Sequence, residues 1–298
     1  MPADAPERLD HYLVRLGWAP SRRAAREMLA GGMVRVNGRI LRKGEMVGSG
    51  DTVEIGEAPE LPALAPDAQV KIEILFRDPA MLVVNKPAPM ACHPLRPGER
   101  GTVMNGVVAQ FPEARASGDD PREGGLVHRL DNGTSGALIV ALQRDAFAAL
   151  REAIRAGRIR RVYQSLVAGN LKKSLEIKTP IAHDPRNARR MLAASSARAR
   201  PAATEVEPIR RFGNFTLVVA RPRTGMRHQI RVHLAEAGHP IAGDTLYGGP
   251  PLDALAKGRF WLHLTEIEFR SPISGPARVR SPLPRDLESA LREPTRRG

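Results

Sequence analysis

Cysteine, aromatic residues and long apolar runs are all scarce in this chain of 298 residues. Cys92 is the only cysteine, which excludes an internal disulfide and any zinc site built on several cysteines. No apolar run approaches the roughly 18 residues that a membrane-spanning helix needs. The opening residues MPADAPERLD have neither the basic start nor the apolar core of a secretory signal peptide. We therefore expect a protein of the reducing cytoplasm.

Positive charge is abundant. Lys and Arg number 46 against 32 Asp and Glu, a formal net charge of +14. An excess of this size favours a polyanionic partner, most often nucleic acid, although an arginine-rich genome would raise the count without such a partner. Aromatic residues make up only 4% of the chain, so few positions can stack on bases.

Residues 1–56 have the pattern of a small α+β domain. Apolar residues spaced along ERLDHYLVRLG predict a helix that ends at Gly17, and Ser21 is placed to cap a second helix, RRAAREMLAGG. The dipeptide Asn37-Gly38 favours a type I′ hairpin between two short strands, and DTVEI supplies another strand. Basic residues are concentrated on the second helix and the hairpin, among them Arg22, Arg23, Arg26, Arg35 and Arg39.

This order of two helices and a basic hairpin resembles the S-four-like RNA-binding domain. The resemblance implies that the five arginines of the second helix and hairpin contact RNA phosphates, which gives affinity and position rather than sequence choice. The alternative is an ordinary small α+β domain whose arginines are simply solvated.

The rest of the chain divides into a linker and a larger domain. Residues 57–70 contain three prolines and several alanines without a period, which predicts a semi-extended linker. From residue 71 to 298, MLVVN, ALIVAL, VYQSLVA, FTLVVAR, QIRVHL and WLHLTEIEF are predicted as strands. Helices are predicted over residues 102–111 and over 145–157, the second capped by Asp145. Because strands often follow one another directly, we predict an α+β fold with a mixed, largely antiparallel sheet.

The segment HRLDNGTSGALIVAL, residues 128–142, places a charged quartet and a tight turn directly before the most apolar strand of its region. A turn on a buried strand fixes Asp131 rigidly, as a nucleophile or general base requires. Spacing alone leaves the simpler reading open, because an aspartate before Asn-Gly is more often only a turn former.

The residue types add specificity. HRLDNGTSG closely resembles the signature of the RluA-type pseudouridine synthases, in which His-Arg-Leu-Asp is followed two residues later by Thr-Ser-Gly. Further segments resemble that family in the same order: NKPAPMACHP from residue 85, RVYQSLVAG from 161, RPRTGMRHQIRVHLAEAGHPIAGDTLYG from 221, and SPLPRD. The resemblance covers most of residues 71–287.

The resemblance implies the chemistry and its residues. Asp131 would be the catalytic carboxylate, Arg231 the cation that keeps it ionised, and Tyr163 the aromatic residue that packs on the uracil. Arg129 would enter the space left by the flipped base. His128, Thr134, Arg227 and Gln229 are the remaining candidates for substrate binding. Exchanging one glycosidic bond for another needs no cofactor, and we assign no metal.

Departures from the family pattern concern the target rather than the reaction. Met226 and Arg227 stand where a basic and then a small polar residue are usual, so a basic contact has moved by one place or is absent. Large-subunit ribosomal RNA is the expected substrate, transfer RNA is the alternative, and a monomer is expected. The competing function is a non-catalytic RNA-binding or ribosome-assembly factor on the same fold. A glycosidase or nuclease would need a second acid or a metal, and the sequence offers neither next to Asp131.

Overall fold

The computed structural model describes residues 6–41, 45–56, 64–96, 98–194, 196 and 198–292, and for Arg23 it describes the backbone alone. The chain divides into two compact units, Met1–Ala63 and Leu64–Gly298. The division falls within the segment 57–70. Residues 57–63 lie outside the described residues, and Leu64 is buried in the core of the second unit. None of the described helices has the length and apolar composition of a membrane-spanning segment.

In its described residues, the first unit has two helices and two small antiparallel sheets. Its elements are β1 (Glu7–Arg8), α1 (Leu9–Arg15), α2 (Arg22–Ala30), β2 (Val34–Val36), β3 (Arg39–Ile40), β4 (Met46–Val47) and β5 (Val53–Ile55). β1 pairs with β4, and β2 lies between β3 and β5. Asn37 and Gly38 adopt φ values of 51° and 74° between β2 and β3, which confirms the predicted hairpin turn.

Local chemistry fixes the two helices of this unit. The Ser21 hydroxyl accepts a hydrogen bond from the Ala24 amide, which confirms the predicted cap of α2. Asp10 on α1 is fully buried and accepts hydrogen bonds from Arg8 and from Arg26 on α2. The hydrogen bond from Arg8 is the main reason that the pKa of Asp10 falls to about 2. The Asp10–Arg26 pair therefore ties α1 to α2.

The second unit is built on a nine-stranded sheet. Its strands and helices are β6 (Glu73–Arg77), β7 (Met81–Lys86), α3 (Val103–Gln110), β8 (Ser135–Ala141), α4 (Arg144–Arg155), β9 (Arg160–Ala168), β10 (Leu175–Ile177), β11 (Ile181–His183), β12 (Met191–Ala193), β13 (Thr204–Phe212), β14 (Phe215–Pro222), α5 (Gln229–Glu236), β15 (Leu262–Ser271), β16 (Gly275–Arg280) and α6 (Arg285–Ala290). Short 3₁₀ helices follow α3, at Pro112–Arg115, and α5, at Thr245–Tyr247.

The strand order is β10-β13-β14-β9-β15-β8-β7-β6, with β16 also paired to β15. Among the described pairings of this sheet, only β8 and β15 run parallel, so the predicted mixed, largely antiparallel sheet is confirmed. β11 and β12 form a separate hairpin. Every residue of β8 is buried at the centre of the sheet, as its apolar sequence predicts. The start of β8 is thereby a rigid base for the residues that precede it.

The predicted strand QIRVHL is wrong, because these residues lie in helix α5. On a strand, Ile230 and Val232 would face one side and the polar Gln229, Arg231 and His233 the other, but all residues from 229 to 234 are buried. A helix buried on every side has no polar face and therefore no amphipathic period. The buried Arg231 and His233 have polar partners, and His233 Nδ1 lies 2.8 Å from Thr204 Oγ1.

Helix α4 differs from its prediction only at its start. It begins at Arg144 after Gln143, whose side chain makes no capping bond, so Asp145 lies in the first turn instead of at the cap. Gly157, with φ of 68°, follows its end as predicted. In α3, Thr102 and Asn105 form a reciprocal capping box, and the predicted helix is confirmed there.

Candidate active site

Asp131 lies in a tight turn that leads into β8, and two buried cations hold that turn. Lys86, at the end of β7, donates through Nζ to the carbonyl oxygens of Asn132 at 3.2 Å and Thr134 at 2.7 Å. Arg259 donates through Nη1 to the carbonyl oxygen of Gly133 at 2.6 Å. Burial lowers the pKa of Lys86 to about 8. Lys86 and Arg259 therefore fix the turn through backbone carbonyl groups and make no hydrogen bond to the Asp131 side chain.

One guanidinium connects Asp131 to a second carboxylate. Arg231 on α5 donates through Nη1 to Asp131 Oδ2 at 2.9 Å, and through Nε and Nη2 to both oxygens of Asp244 at 2.6 and 2.9 Å. Its guanidinium carbon lies 4.4 Å from the ring centre of Phe260 and 4.9 Å from that of Tyr247. Burial opposes the charge of Arg231, but the hydrogen bonds and charges of the two carboxylates outweigh it and raise its pKa. Arg231 thus stays a cation beside Asp131.

His228 faces the other oxygen of Asp131. Its backbone adopts φ of 55° at the start of α5, an uncommon conformation for a residue other than glycine. Its Nδ1 lies 2.7 Å from the hydroxyl of Tyr247, which accepts a hydrogen bond from the Met191 amide. His228 Nε2 lies 3.8 Å from Asp131 Oδ1. Burial lowers the pKa of His228 to about 4, so the ring is neutral at pH 7.

Tyr163 and Arg161 share one face of β9, because they are two residues apart on a strand. Both line the same cavity as Asp131. Tyr163 is only 7% exposed, and burial raises the pKa of its phenol, so the hydroxyl stays protonated at neutral pH. Arg161 donates through Nη2 to the carbonyl oxygen of Thr224 at 2.9 Å.

The cavity is open to solvent at its mouth. It brings together six of the eight candidates predicted in this unit: Arg129, Asp131, Thr134, Tyr163, Gln229 and Arg231. Arg129 is the most exposed of these, with 59% of its side chain accessible, and lies 3.5 Å from Glu123. Gln229 is buried. Its Oε1 accepts hydrogen bonds from Thr224 Oγ1 and the Met226 amide, and its Nε2 donates to Thr204 Oγ1, so its side chain is fixed in the cavity wall.

Two predicted substrate-binding residues do not line the cavity. His128 is buried, and its Nε2 accepts a hydrogen bond from the Ile139 amide of β8 at 3.1 Å. Burial is the main reason that its pKa falls to about 3. Arg227 is exposed and donates to the carbonyl oxygens of Ala188 and Arg189 at 3.2 and 3.4 Å. Arg227 therefore binds the loop at residues 188 and 189 and does not line the cavity.

In the first unit, the predicted RNA-binding arginines differ in their surroundings. Arg22, Arg35 and Arg39 are exposed. Arg26 is half-buried on Asp10, and the side chain of Arg23 lies outside the described residues.

Sequence reasoning missed Asp244, His228, Lys86 and Arg259. Asp244 lies 13 residues after Arg231, a separation that no local period connects. His228 and Lys86 were visible inside family-like segments, but only their contacts show that they face Asp131 or its turn. No local signal identifies Arg259.

Comparisons with known proteins agree with the geometry. A family model described as RNA pseudouridylate synthase matches residues 80–236, more than half of the chain, and an S4 domain model matches residues 7–53. An uncharacterized RNA pseudouridine synthase of Chloroflexus aurantiacus is 34% identical over 98% of this chain and 91% of that protein. The ribosomal large subunit pseudouridine synthase D of Xanthomonas campestris is also 34% identical, over 98% of this chain and 91% of its own.

Solved structures show the same fold. Human RNA pseudouridylate synthase domain containing 1 superposes with a TM-score of 0.59 and 24% identity, covering 76% of this chain and 89% of that one. At that identity the likeness concerns the fold alone. The family models and the relatives together show that the chain belongs to the RNA pseudouridylate synthase family, whose members are isomerases, and that it has an S4 domain at its N-terminal end.

Proposed function

We propose that the chain converts specific uridines of large-subunit ribosomal RNA into pseudouridine, with Asp131 as the catalytic carboxylate. The observation that carries the proposal is the position of Asp131, whose 24% exposed side chain opens onto the cavity while Oδ2 is held by Arg231. Relatives named for the ribosomal large subunit support the choice of RNA, and that substrate implies action in the cytoplasm. Transfer RNA is the competing substrate.

The reaction breaks the bond between uracil N1 and ribose C1′ and forms a bond from C5 to C1′. A proton leaves C5 and one is gained at N1, so no electrons are exchanged with a cofactor. Whether Asp131 attacks the sugar or removes a proton, it must be ionised, and Arg231 donates a hydrogen bond to its Oδ2 at 2.9 Å. Tyr163 would pack on the uracil as a neutral phenol.

Access to a uridine in structured RNA requires that the base leave its stack. Arg129, exposed at the cavity mouth two residues before Asp131, is suited to enter the vacated space. The basic residues Arg22, Arg23, Arg35 and Arg39 of the first unit would contact phosphates, which position the RNA without reading its sequence.

A tritium-release assay tests the catalytic role. The substrate is a transcript of large-subunit ribosomal RNA with 5-tritiated uridine, because tritium is released when C5 bonds to the sugar. We expect Asp131→Asn to lower the rate at least about a thousand-fold, as removal of a nucleophile or base does. The matched control is Asp145→Asn, since Asp145 is exposed on α4, away from the cavity. Equal rates for Asp131→Asn and wild type would remove Asp131 from the mechanism.

The non-catalytic alternative makes the opposite prediction, namely RNA binding without tritium release by the wild type. Mapping of pseudouridines in total ribosomal and transfer RNA, with and without the gene, identifies the substrate. If deletion of the gene removed a pseudouridine from transfer RNA and none from ribosomal RNA, transfer RNA would be the substrate.

A further inference from the structure

Three arginines line the cavity, and they differ in their acidic partners. Arg231 is shared by two carboxylates, and Arg129 lies 3.5 Å from Glu123. Arg161 has no carboxylate within 4 Å in the part of the chain that the structure describes. A cation that lines a cavity without a protein anion attracts an anionic group of a ligand.

The guanidinium of Arg161 is anchored through one nitrogen, and its Nη1 has no hydrogen-bond partner among the described residues. Its one hydrogen bond to the described residues runs from Nη2 to the Thr224 carbonyl at 2.9 Å. Its Nε is buried without a partner. Its Nη1 lies 3.3 Å from where a Cβ would stand on Gly225, so the absence of a side chain at Gly225 makes room for the head group. A planar guanidinium with free donors in a fixed orientation suits a phosphate better than a neutral carbonyl.

The position of Arg161 also suits a phosphate. It lies two residues before Tyr163 on the same face of β9, a spacing of about 7 Å along a strand. A nucleotide whose base packs on Tyr163 would therefore bring its backbone within reach of Arg161. The residue after Gly225, Met226, offers no charge there, and Arg227 points to the carbonyls of residues 188 and 189.

We infer that Arg161 is a substrate-binding residue that holds a backbone phosphate next to the flipped uridine. The inference rests on the proposed function and deepens it. Its competitor is a purely structural role, in which Arg161 only pins the loop at Thr224.

The test uses Arg161→Gln in the full chain, with Arg160→Gln as the matched control. Arg160 is the neighbouring residue on the opposite face of β9 and pairs with Glu268 at 3.1 Å. The first readout is steady-state tritium release from the ribosomal transcript. We expect Arg161→Gln to raise KM about ten-fold or more with a smaller change in kcat, because a charge-assisted hydrogen bond is lost. Arg160→Gln should stay within about two-fold of wild type.

The second readout does not depend on turnover. Binding of the same transcript is measured over a range of KCl concentrations, with Asp131→Asn as the background in every variant. The slope of log affinity against log salt should fall by about 0.7 to 0.9 for Arg161→Gln, the value for one lost phosphate contact, and should be restored by Arg161→Lys. An unchanged slope, or a loss of kcat and thermal stability with KM unchanged, would overturn the inference. Wild-type protein that binds the transcript but releases no tritium would instead refute the proposed reaction, and the slope would still report on Arg161.

Discussion

Arg231 is the residue on which the charge of the site depends. Its guanidinium bonds Asp131 with one nitrogen and Asp244 with the other two, and it is only 6% exposed. A buried cation with two anions is stable only while its partners are in place, because an unpaired buried charge is costly. Asp244, itself 2% exposed, therefore positions Arg231 for its contact with Asp131.

We expect Asp244→Asn to weaken both stability and activity. An amide has one acceptor oxygen, and its NH2 group would face a guanidinium N–H, donor against donor, so one of the two hydrogen bonds is lost. The loss of a buried charged partner costs about 3 kcal/mol. In a unit of this size that corresponds to a fall in Tm of roughly 6–12 °C. Thermal unfolding and tritium release measure the two effects. Asp244→Glu keeps the charge and should recover part of the activity. If Asp244→Asn matched wild type in both assays, Asp244 would have no part in holding Arg231.

At the scale of elements, the site depends on the contacts that hold one turn in place. The turn from Asp131 to Thr134 is held by Lys86 from β7 and by Arg259, which precedes β15. Gly133 fits here because a Cβ would stand 2.4 Å from the Gly258 carbonyl oxygen and 2.5 Å from the Phe260 ring. Close packing, rather than an unusual backbone angle, thus requires glycine at this position.

We expect Gly133→Ala to displace this turn and lower kcat at least ten-fold, because even a shift of about 1 Å misaligns a catalytic group. Tritium release measures the loss of activity, and thermal unfolding should show a lower Tm for the same variant. The control is Gly48→Ala in the first unit, where the nearest atom to a new Cβ is 3.8 Å away. Full activity of Gly133→Ala would mean that the turn adjusts freely, although Lys86 and Arg259 bind its backbone.

Across the whole molecule, several histidines are buried as neutral rings. Burial is the main reason that the pKa of His128 falls to about 3 and those of His228 and His263 to about 4. In the unfolded chain the value is about 6.5. Between these values the unfolded state binds more protons, so stability is complete above pH 6.5 and decreases as the pH falls toward 4.

We expect the free energy of unfolding to fall between pH 7 and pH 5.5 by about 1 kcal/mol for each of these three histidines. Urea titrations at these two values measure it, before most carboxylates begin to titrate. In His128→Gln, which lies off the cavity, the fall should be smaller by one such increment. A stability that is flat from pH 7 to 5.5 would contradict the burial of neutral rings.

The sequence by itself determined what depends on neighbouring residues. The hairpin at Asn37-Gly38, the cap at Ser21, the helix after Thr102 and the buried strand β8 follow from contacts within a few positions, and the structure confirms them. The order of the family-like motifs likewise identified Asp131, Tyr163 and Arg231, which the fold brings to one cavity.

Only the tertiary structure decided what depends on residues far apart in the chain. It made α5 a helix, because Arg231 and His233 find buried partners that no local pattern contains. It paired Arg231 with Asp244, turned Arg227 away from the cavity and left Arg161 facing it. The spacing of apolar residues along the sequence indicates which face of a helix or strand is buried. The pairing of charges between elements is fixed only when those elements pack together.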